Sequence, residues 1–172
     1  MESPSRVPYL GGIRELGGIR EMAGVVEEIY VTRRGSEPMK RVEEVRAAIG
    51  GLEGDRYREG TGYWTVYGDV CEVTLIEGED HNETERVDGI SVKNGEHQRN
   101  IITRGVSLES LRGTRFRIGE AILEYDRPRL PCKHVEDVTE PGMTHALGRR
   151  GGICARVVEG GRIRARDEIV AL

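Results

Sequence analysis

Short apolar runs separated by glycine-rich breaks set the rhythm of this chain. Val25-Val26-Glu27-Glu28-Ile29-Tyr30-Val31 is β-branched and bounded by Gly24 and by the turn-like Arg34-Gly35-Ser36, which predicts a first strand. Val42, Val45, Ala48 and Ile49 fall at helical spacing and predict a helix within 39–49. Val70 to Ile76 reads as a second strand, followed by an acidic stretch, 77–88, expected as a solvated loop or short helix. Arg99 to Thr103 reads as a strand, and Ser107 can cap a short helix over Leu108 to Arg112. Arg115–Ile118 and Ala121–Tyr125 flank Gly119-Glu120, and glycine first in a two-residue connection is what a type II′ hairpin turn requires. Ile153–Val158, Ile163–Arg166 and Ile169-Val170 read as a closing β-meander around the Gly160-Gly161 turn. Residues 1–23 contain Gly-Gly-Ile-Arg-Glu twice but show no strand alternation, so they are expected to be a flexible extension preceding one domain over 24–172.

Composition supports many turns and one core. The 172 residues suit a single hydrophobic core, and 24 glycines spread between apolar runs imply frequent chain reversal. With one Phe and one Trp, that core must be built from Val, Ile and Leu. The 26 basic and 30 acidic residues are intermixed, which argues against a nucleic-acid or anionic-membrane surface. No apolar run approaches the ~20 residues of a membrane-crossing helix. Three widely spaced cysteines without a secretory leader point to a reducing cytoplasm.

Reactive chemistry concentrates at Cys132. The prolines of Arg127-Pro128-Arg129-Leu130-Pro131-Cys132-Lys133-His134 argue that regular structure stops there, leaving the cysteine in a loop. Lys133, and His134 when protonated, would favour the thiolate, the form that acts as nucleophile and metal ligand. The plain alternative is a small buried hydrophobe, the reading that fits Cys71 and Cys154 in their apolar strands. Cys132, His134, His145 and Cys154 do not reproduce paired zinc-ligand spacing, so no zinc is expected. His81 and His97, in polar stretches, are expected at the surface. Arg56, Arg99, Arg104, Arg149 and Arg150 stand beside glycine or turn residues, where guanidinium and backbone N–H groups can converge on an anion.

Six segments then occur in a familiar order: Gly51-Leu52-Glu53-Gly54-Asp55-Arg56, Val73-Thr74-Leu75-Ile76-Glu77, Arg99-Asn100-Ile101, Phe116-Arg117-Ile118-Gly119-Glu120-Ala121, Pro131-Cys132 and Gly151-Gly152-Ile153. This series resembles the MOSC domains, named for the C-terminal domain of molybdenum cofactor sulfurase, over residues 24–172. The resemblance implies a mainly β, pyruvate-kinase-barrel-like fold with a few short helices. It also implies that Cys132 either carries sulfane sulfur as a persulfide or ligates molybdenum. An anion patch of Arg56, Arg99, Asn100, Arg104, Lys133 and His134 would hold the phosphate of the molybdopterin cofactor. Implied partners are a cysteine desulfurase or other sulfur donor with a molybdenum-cofactor enzyme as acceptor, or an external electron donor if the chain is a small reductase of N-hydroxylated compounds. A non-catalytic anion-binding module is the third reading. Two departures stand out: Arg129-Leu130 replaces the second cysteine that many relatives carry before the motif cysteine, and Arg166-Asp167 stands where Gly-Asp is usual.

Overall fold

The computed structural model describes residues 13–16, 19–92 and 94–172. Its elements run β1 (Ile13–Leu16), β2 (Ile19–Val31), β3 (Lys40–Val42), β4 (Glu44–Ala48), β5 (Gly51–Leu52), α1 (Arg56–Glu59), β6 (Val73–Glu77) and α2 (Gly78–Asp88). They continue with β7 (Ile101–Arg104), β8 (Arg115–Ile118), β9 (Ala121–Pro128), α3 (Lys133–Asp137), α4 (Met143–Leu147), β10 (Ile153–Glu159), β11 (Gly161–Arg164) and β12 (Glu168–Ala171).

Seven strands close into a barrel in the order β2-β12-β8-β9-β10-β6-β7, with β7 returning to β2. Closure removes open sheet edges, and strict alternation supplies the interior: β8 buries Phe116 and Ile118 and exposes Arg115 and Arg117. The β8–β9 turn has the expected form, with Gly119 at φ 56°. β6 and β7 are the parallel pair of the barrel, and parallel neighbours require a crossover, supplied here by α2 and the segment after it. The main core joins Val26, Ile29, Leu75, Ile101, Phe116, Leu123, Ile153 and Ile169, the aliphatic core that the composition demanded. Among the described residues no helix is long and apolar enough to cross a membrane.

Three expectations need correction. The 39–49 segment is not a helix: β3 pairs with β2, while β4 pairs with β5 and β11 in a small separate sheet. Val45 and Ala47 are buried while Glu44 and Arg46 are exposed, so period two prevails over the helical spacing. The C-terminus is not a simple meander, because β11 leaves the barrel for β4 and β12 lies between β2 and β8. Of the segment expected as an extension, residues 1–12, 17 and 18 lie outside the described residues. Ile13–Leu16 pairs antiparallel with Ile19–Met22, so the boundary placed before residue 24 falls inside β2.

Arg166, noted above as a departure, sits at φ 75°, the left-handed conformation that favours glycine. Its N–H is fixed on the Val26 carbonyl at 2.7 Å, so the strain is imposed by strand docking. Arg166→Gly is expected to relieve it and raise stability by ~0.5–1 kcal/mol, read as a higher urea midpoint with an unchanged m-value.

His81 and His97 also depart from expectation. His81, in the first turn of α2, stacks on His97 with ring centroids 4.7 Å apart, and His97 is fully buried. The His97 Nδ1 accepts the Arg99 N–H at 2.8 Å, which places the ring proton on Nε2. Burial, then neighbouring arginines, pulls His81 down to about 4; burial, then His81, holds His97 well below its ordinary value. Both are neutral when folded, whereas an unfolded histidine binds a proton near pH ~6.5. The unfolded state therefore gains protons first on acidification, and stability is lost as pH falls from ~6.5 towards 4. Glu77 and Asp80, raised by burial, act in the opposite sense. The expected outcome is a urea midpoint that falls over this window and a shallower fall in His81→Gln.

Candidate functional site

A buried polar hub anchors the site. The Asp55 carboxylate, fully buried, accepts the Thr32 N–H at 3.1 Å and the Asn100 amide at 3.0 Å through Oδ1, and the Tyr57 N–H at 3.3 Å through Oδ2. Asn100 also donates to the Tyr30 carbonyl at 3.1 Å, and its Oδ1 accepts from the Thr74 N–H at 3.1 Å and the Thr74 hydroxyl at 3.0 Å. One amide and one carboxylate thus tie β2, the start of α1, β6 and the start of β7 together, and carry Arg56 and Arg99 as their sequence neighbours.

Both arginines line a cleft of about 320 Å³ with Gly35, Ser36, Tyr57, Tyr63, Trp64, Tyr67, Asp69, Gln98, Arg129, Cys132 and His134. Arg56, almost fully buried, donates to the Gln98 carbonyl at 2.8 Å and lies 4.4 Å over the Tyr57 ring. Arg99 donates through Nε to the Gly151 carbonyl at 2.7 Å and through Nη1 to the His97 carbonyl at 3.1 Å. Its Nη2 is buried without a hydrogen-bond partner, an expensive state for a guanidinium. Burial, then the Arg129 guanidinium, brings Arg99 down to about 10, so it remains a cation at neutral pH. Gly151 and Gly152 permit the contact below: a side chain at Gly152 would meet the Leu75 carbonyl at 1.9 Å. Ser36 and Gln98 hold left-handed backbone, φ 72° and 58°, the kind of strain that concentrates at functional sites.

Cys132 is half-buried at the N-cap of α3, so the predicted loop is in fact a short bridge from β9, which runs on to Pro128, into a helix. The Trp64 indole N–H donates to its Sγ at 3.4 Å. His134 stacks on Tyr63, with centroids 3.6 Å apart, and its Nε2 lies 3.0 Å from the Ser36 hydroxyl. Burial holds His134 below its ordinary value, so the imidazole beside Cys132 is neutral at pH 7 and gives no cationic help, contrary to expectation.

The expected anion patch therefore divides. Arg56, Arg99 and His134 meet at Cys132. Asn100 is buried in the hub and belongs to the framework. Lys133 is exposed and paired with Asp137 at 2.7 Å, and Arg104 pairs with Glu27 at 2.8 Å beside another cavity. His145 is exposed, and among the described residues no three His, Cys, Asp or Glu side chains gather as a metal cage. Sequence reasoning missed Arg129, held by Asp69 at 3.0 Å, and the aromatic wall of Tyr63, Trp64 and Tyr67. The run Gly62-Tyr63-Trp64-Thr65-Val66-Tyr67-Gly68 carries the chain's sole Trp and three of its aromatics, a signal that was available.

Removing the indole donor tests its hold on the sulfur. Trp64→Phe is expected to slow Cys132 alkylation by iodoacetamide at pH 7 by a factor of ~2–10, the range of one net hydrogen bond. An unchanged rate would show that the contact does not act on the sulfur.

Comparison with known proteins places this geometry. No curated protein matches the chain. Among solved structures, YuaD of Bacillus subtilis superposes with a TM-score of 0.75 at 19% identity, covering 88% of this chain and 97% of that one. YiiM of Geobacillus stearothermophilus gives 0.66 at 18% identity, over 87% and 75% of the two chains. YiiM of Escherichia coli gives 0.62 at 18% identity, over 86% and 69%. At these identities the likeness establishes a shared fold. The MOSC domain family model matches residues 62–170, the span that carries the aromatic wall, Arg99, Arg129 and Cys132, and the chain belongs to the MOSC domain family.

Proposed function

We propose that this chain handles molybdenum cofactor at the Cys132 cleft, with Cys132 as the thiol that bears transferred sulfur. The observation that carries the reading is the buried, unpartnered Nη2 of Arg99 in the same cleft as the half-exposed Cys132. An orphaned cationic donor calls for an anion, and a reachable thiol calls for sulfur or a soft metal. The MOSC family is associated with molybdenum cofactor, whose phosphate and metal–sulfur ends ask for these two features together.

The donor set fits the group. Arg99, with Arg56 and Arg129 around it, would hold the phosphate, and Cys132 would meet the metal–sulfur end. When bound, the cofactor supplies a molybdenum centre able to exchange oxygen or sulfur ligands. Cys132 attacks the outer sulfur of a donor persulfide, such as that of a cysteine desulfurase, taking the sulfane sulfur and releasing the donor thiolate. Trp64 supports the anionic sulfur through its N–H, and neutral His134, fixed by Ser36 and Tyr63, is available to take a proton as the thiol reacts. Neither of the other cysteines lines the cleft, so discharge of the persulfide relies on an external thiol or the acceptor itself.

A second reading is favoured by the aromatic wall. Tyr63 and Trp64, 43% and 39% exposed and set edge to face, offer aromatic surface beside Cys132 against which a planar substrate can pack, as a small reductase with Cys132 on the metal would need. Elemental analysis and intact mass of protein from a molybdenum-replete host separate the two, with Cys132→Ala alongside. The carrier gains one sulfur at Cys132 after incubation with desulfurase and cysteine and holds no stoichiometric metal. Stoichiometric molybdenum lost in Cys132→Ala establishes the reductase instead. Absence of both signals overturns both readings and leaves an anion-binding module.

A further inference from the structure

Behind the arginines of the cleft lies a second pair of sulfurs. Cys71, just before β6, and Cys154, in β10, are 83 positions apart in sequence, yet their Sγ atoms stand 2.8 Å from one another. That is less than an ångström beyond the ~2.05 Å of a covalent S–S bond. Cys71 is 5% exposed and Cys154 wholly buried. The juxtaposition is held by regular structure. Cys154 is in register with Thr74 of β6 and Arg127 of β9. Arg127 donates to the Val70 carbonyl at 3.1 Å and pairs with Asp69, and Arg129 takes the other Asp69 oxygen at 3.0 Å. Two guanidiniums thus clamp residues 69 and 70 and set the next residue, Cys71, against Cys154.

Two small hydrophobes filling a core would not ask for such surroundings. The Cys71 thiol donates to Cys154, and that bond, helped by Arg129, Arg127 and Arg99 against the effect of burial, draws Cys154 down to about 7. Cys71, as the donor and by burial, is pushed up. Burial works to lower Arg129, yet the Tyr57 phenol and the two sulfurs raise it above its ordinary value. A donor thiol against an arginine-supported thiolate is the arrangement from which a disulfide forms.

We propose that Cys71 and Cys154 are a redox-active dithiol, a second sulfur site distinct from Cys132, that closes to a disulfide by exchange with a low-molecular-weight disulfide such as oxidised glutathione. The Cys154 thiolate attacks one glutathione sulfur and releases the first glutathione thiolate, giving a mixed disulfide. The Cys71 sulfur, giving up its proton, attacks Cys154 and releases the second. The two cysteines lose two electrons and glutathione disulfide gains them; the Cys71 proton goes to one glutathione thiolate, and the other takes its proton from water. Cys154 is wholly buried, so the exchange requires the clamped 69–71 segment, whose Val70 is exposed, to open.

The test uses the full-length Cys132→Ser protein, poised across ratios of reduced to oxidised glutathione, quenched in acid, unfolded, alkylated and weighed. Alkylation is expected to fall from two thiols to none in one transition, with the loss of two hydrogens from the intact mass and a Cys71–Cys154 linked peptide in a non-reducing digest. Cys71→Ser in the same background should leave one cysteine and yield no linked peptide. The wild type should give the same link while Cys132 remains separately alkylated or glutathionylated. Two thiols that stay fully alkylatable at the most oxidising ratio, while urea-unfolded protein forms the link, overturn the proposal. Independent glutathione adducts on the two cysteines, or a wild-type disulfide that includes Cys132 in place of the Cys71–Cys154 link, do the same.

Discussion

The bond between the Asp55 carboxylate and the Asn100 amide is the constraint on which the rest of the site depends. A wholly buried carboxylate is tolerated only when its lone pairs are taken up, and here the donors come from segments far apart in sequence. Breaking one member leaves charge or amide stranded in a dry interior, so the network enforces a single relative placement of β2, α1, β6 and β7. Arg56 and Arg99 each follow or precede a hub residue by one position. The framework places the backbone of the cleft's cations, and bonds to the Gln98, His97 and Gly151 carbonyls then aim their guanidiniums.

The same logic explains which parts of the molecule were legible in sequence. Alternation of buried and exposed residues made β8 and β9 readable, and Gly119 made their turn readable, because both signals are local. The 39–49 segment failed because Val42, Val45, Ala48 and Ile49 satisfy a helical spacing by chance; Val45 and Ala47 are the positions buried, and only the docking of β4 against β11 decides between the periods. The α3 and α4 helices were missed since each spans five residues and derives its stability from packing Val135, Met143 and Leu147 against Ile76 and Ile102.

At the site, Cys132 was legible from its proline-framed, charged neighbourhood, and Arg56 and Arg99 from motif order. Asn100 and Arg104 occupy equally suggestive positions, yet one faces inward to the hub and the other reaches from β7 to Glu27 of β2. Period two sends neighbours to opposite faces, and which face holds the ligand is a tertiary fact. Arg129 was passed over because it stands between Pro128 and Leu130 rather than beside a glycine. It contributes a cation to the cleft, held there by Asp69. His81 and His97 looked solvated because their sequence neighbours are polar, but the inner side of α2 brings the His81 ring onto the buried His97 ring.

The barrel order has a consequence for when this protein acquires its chemistry. One part, β7 with β2 and β6, and another, the β8–β9 hairpin, are joined by β10 on one side and β12 on the other. These two staves are made last during synthesis. Until they are in place the nascent chain has its hairpin and its parallel pair but no closed wall, and Arg99 lacks the Gly151 carbonyl that orients it. Such non-local closure is slow relative to local folding. The walls of the cleft are therefore complete only once β10 and β12 have closed the barrel, although its arginines and Cys132 lie earlier in the chain.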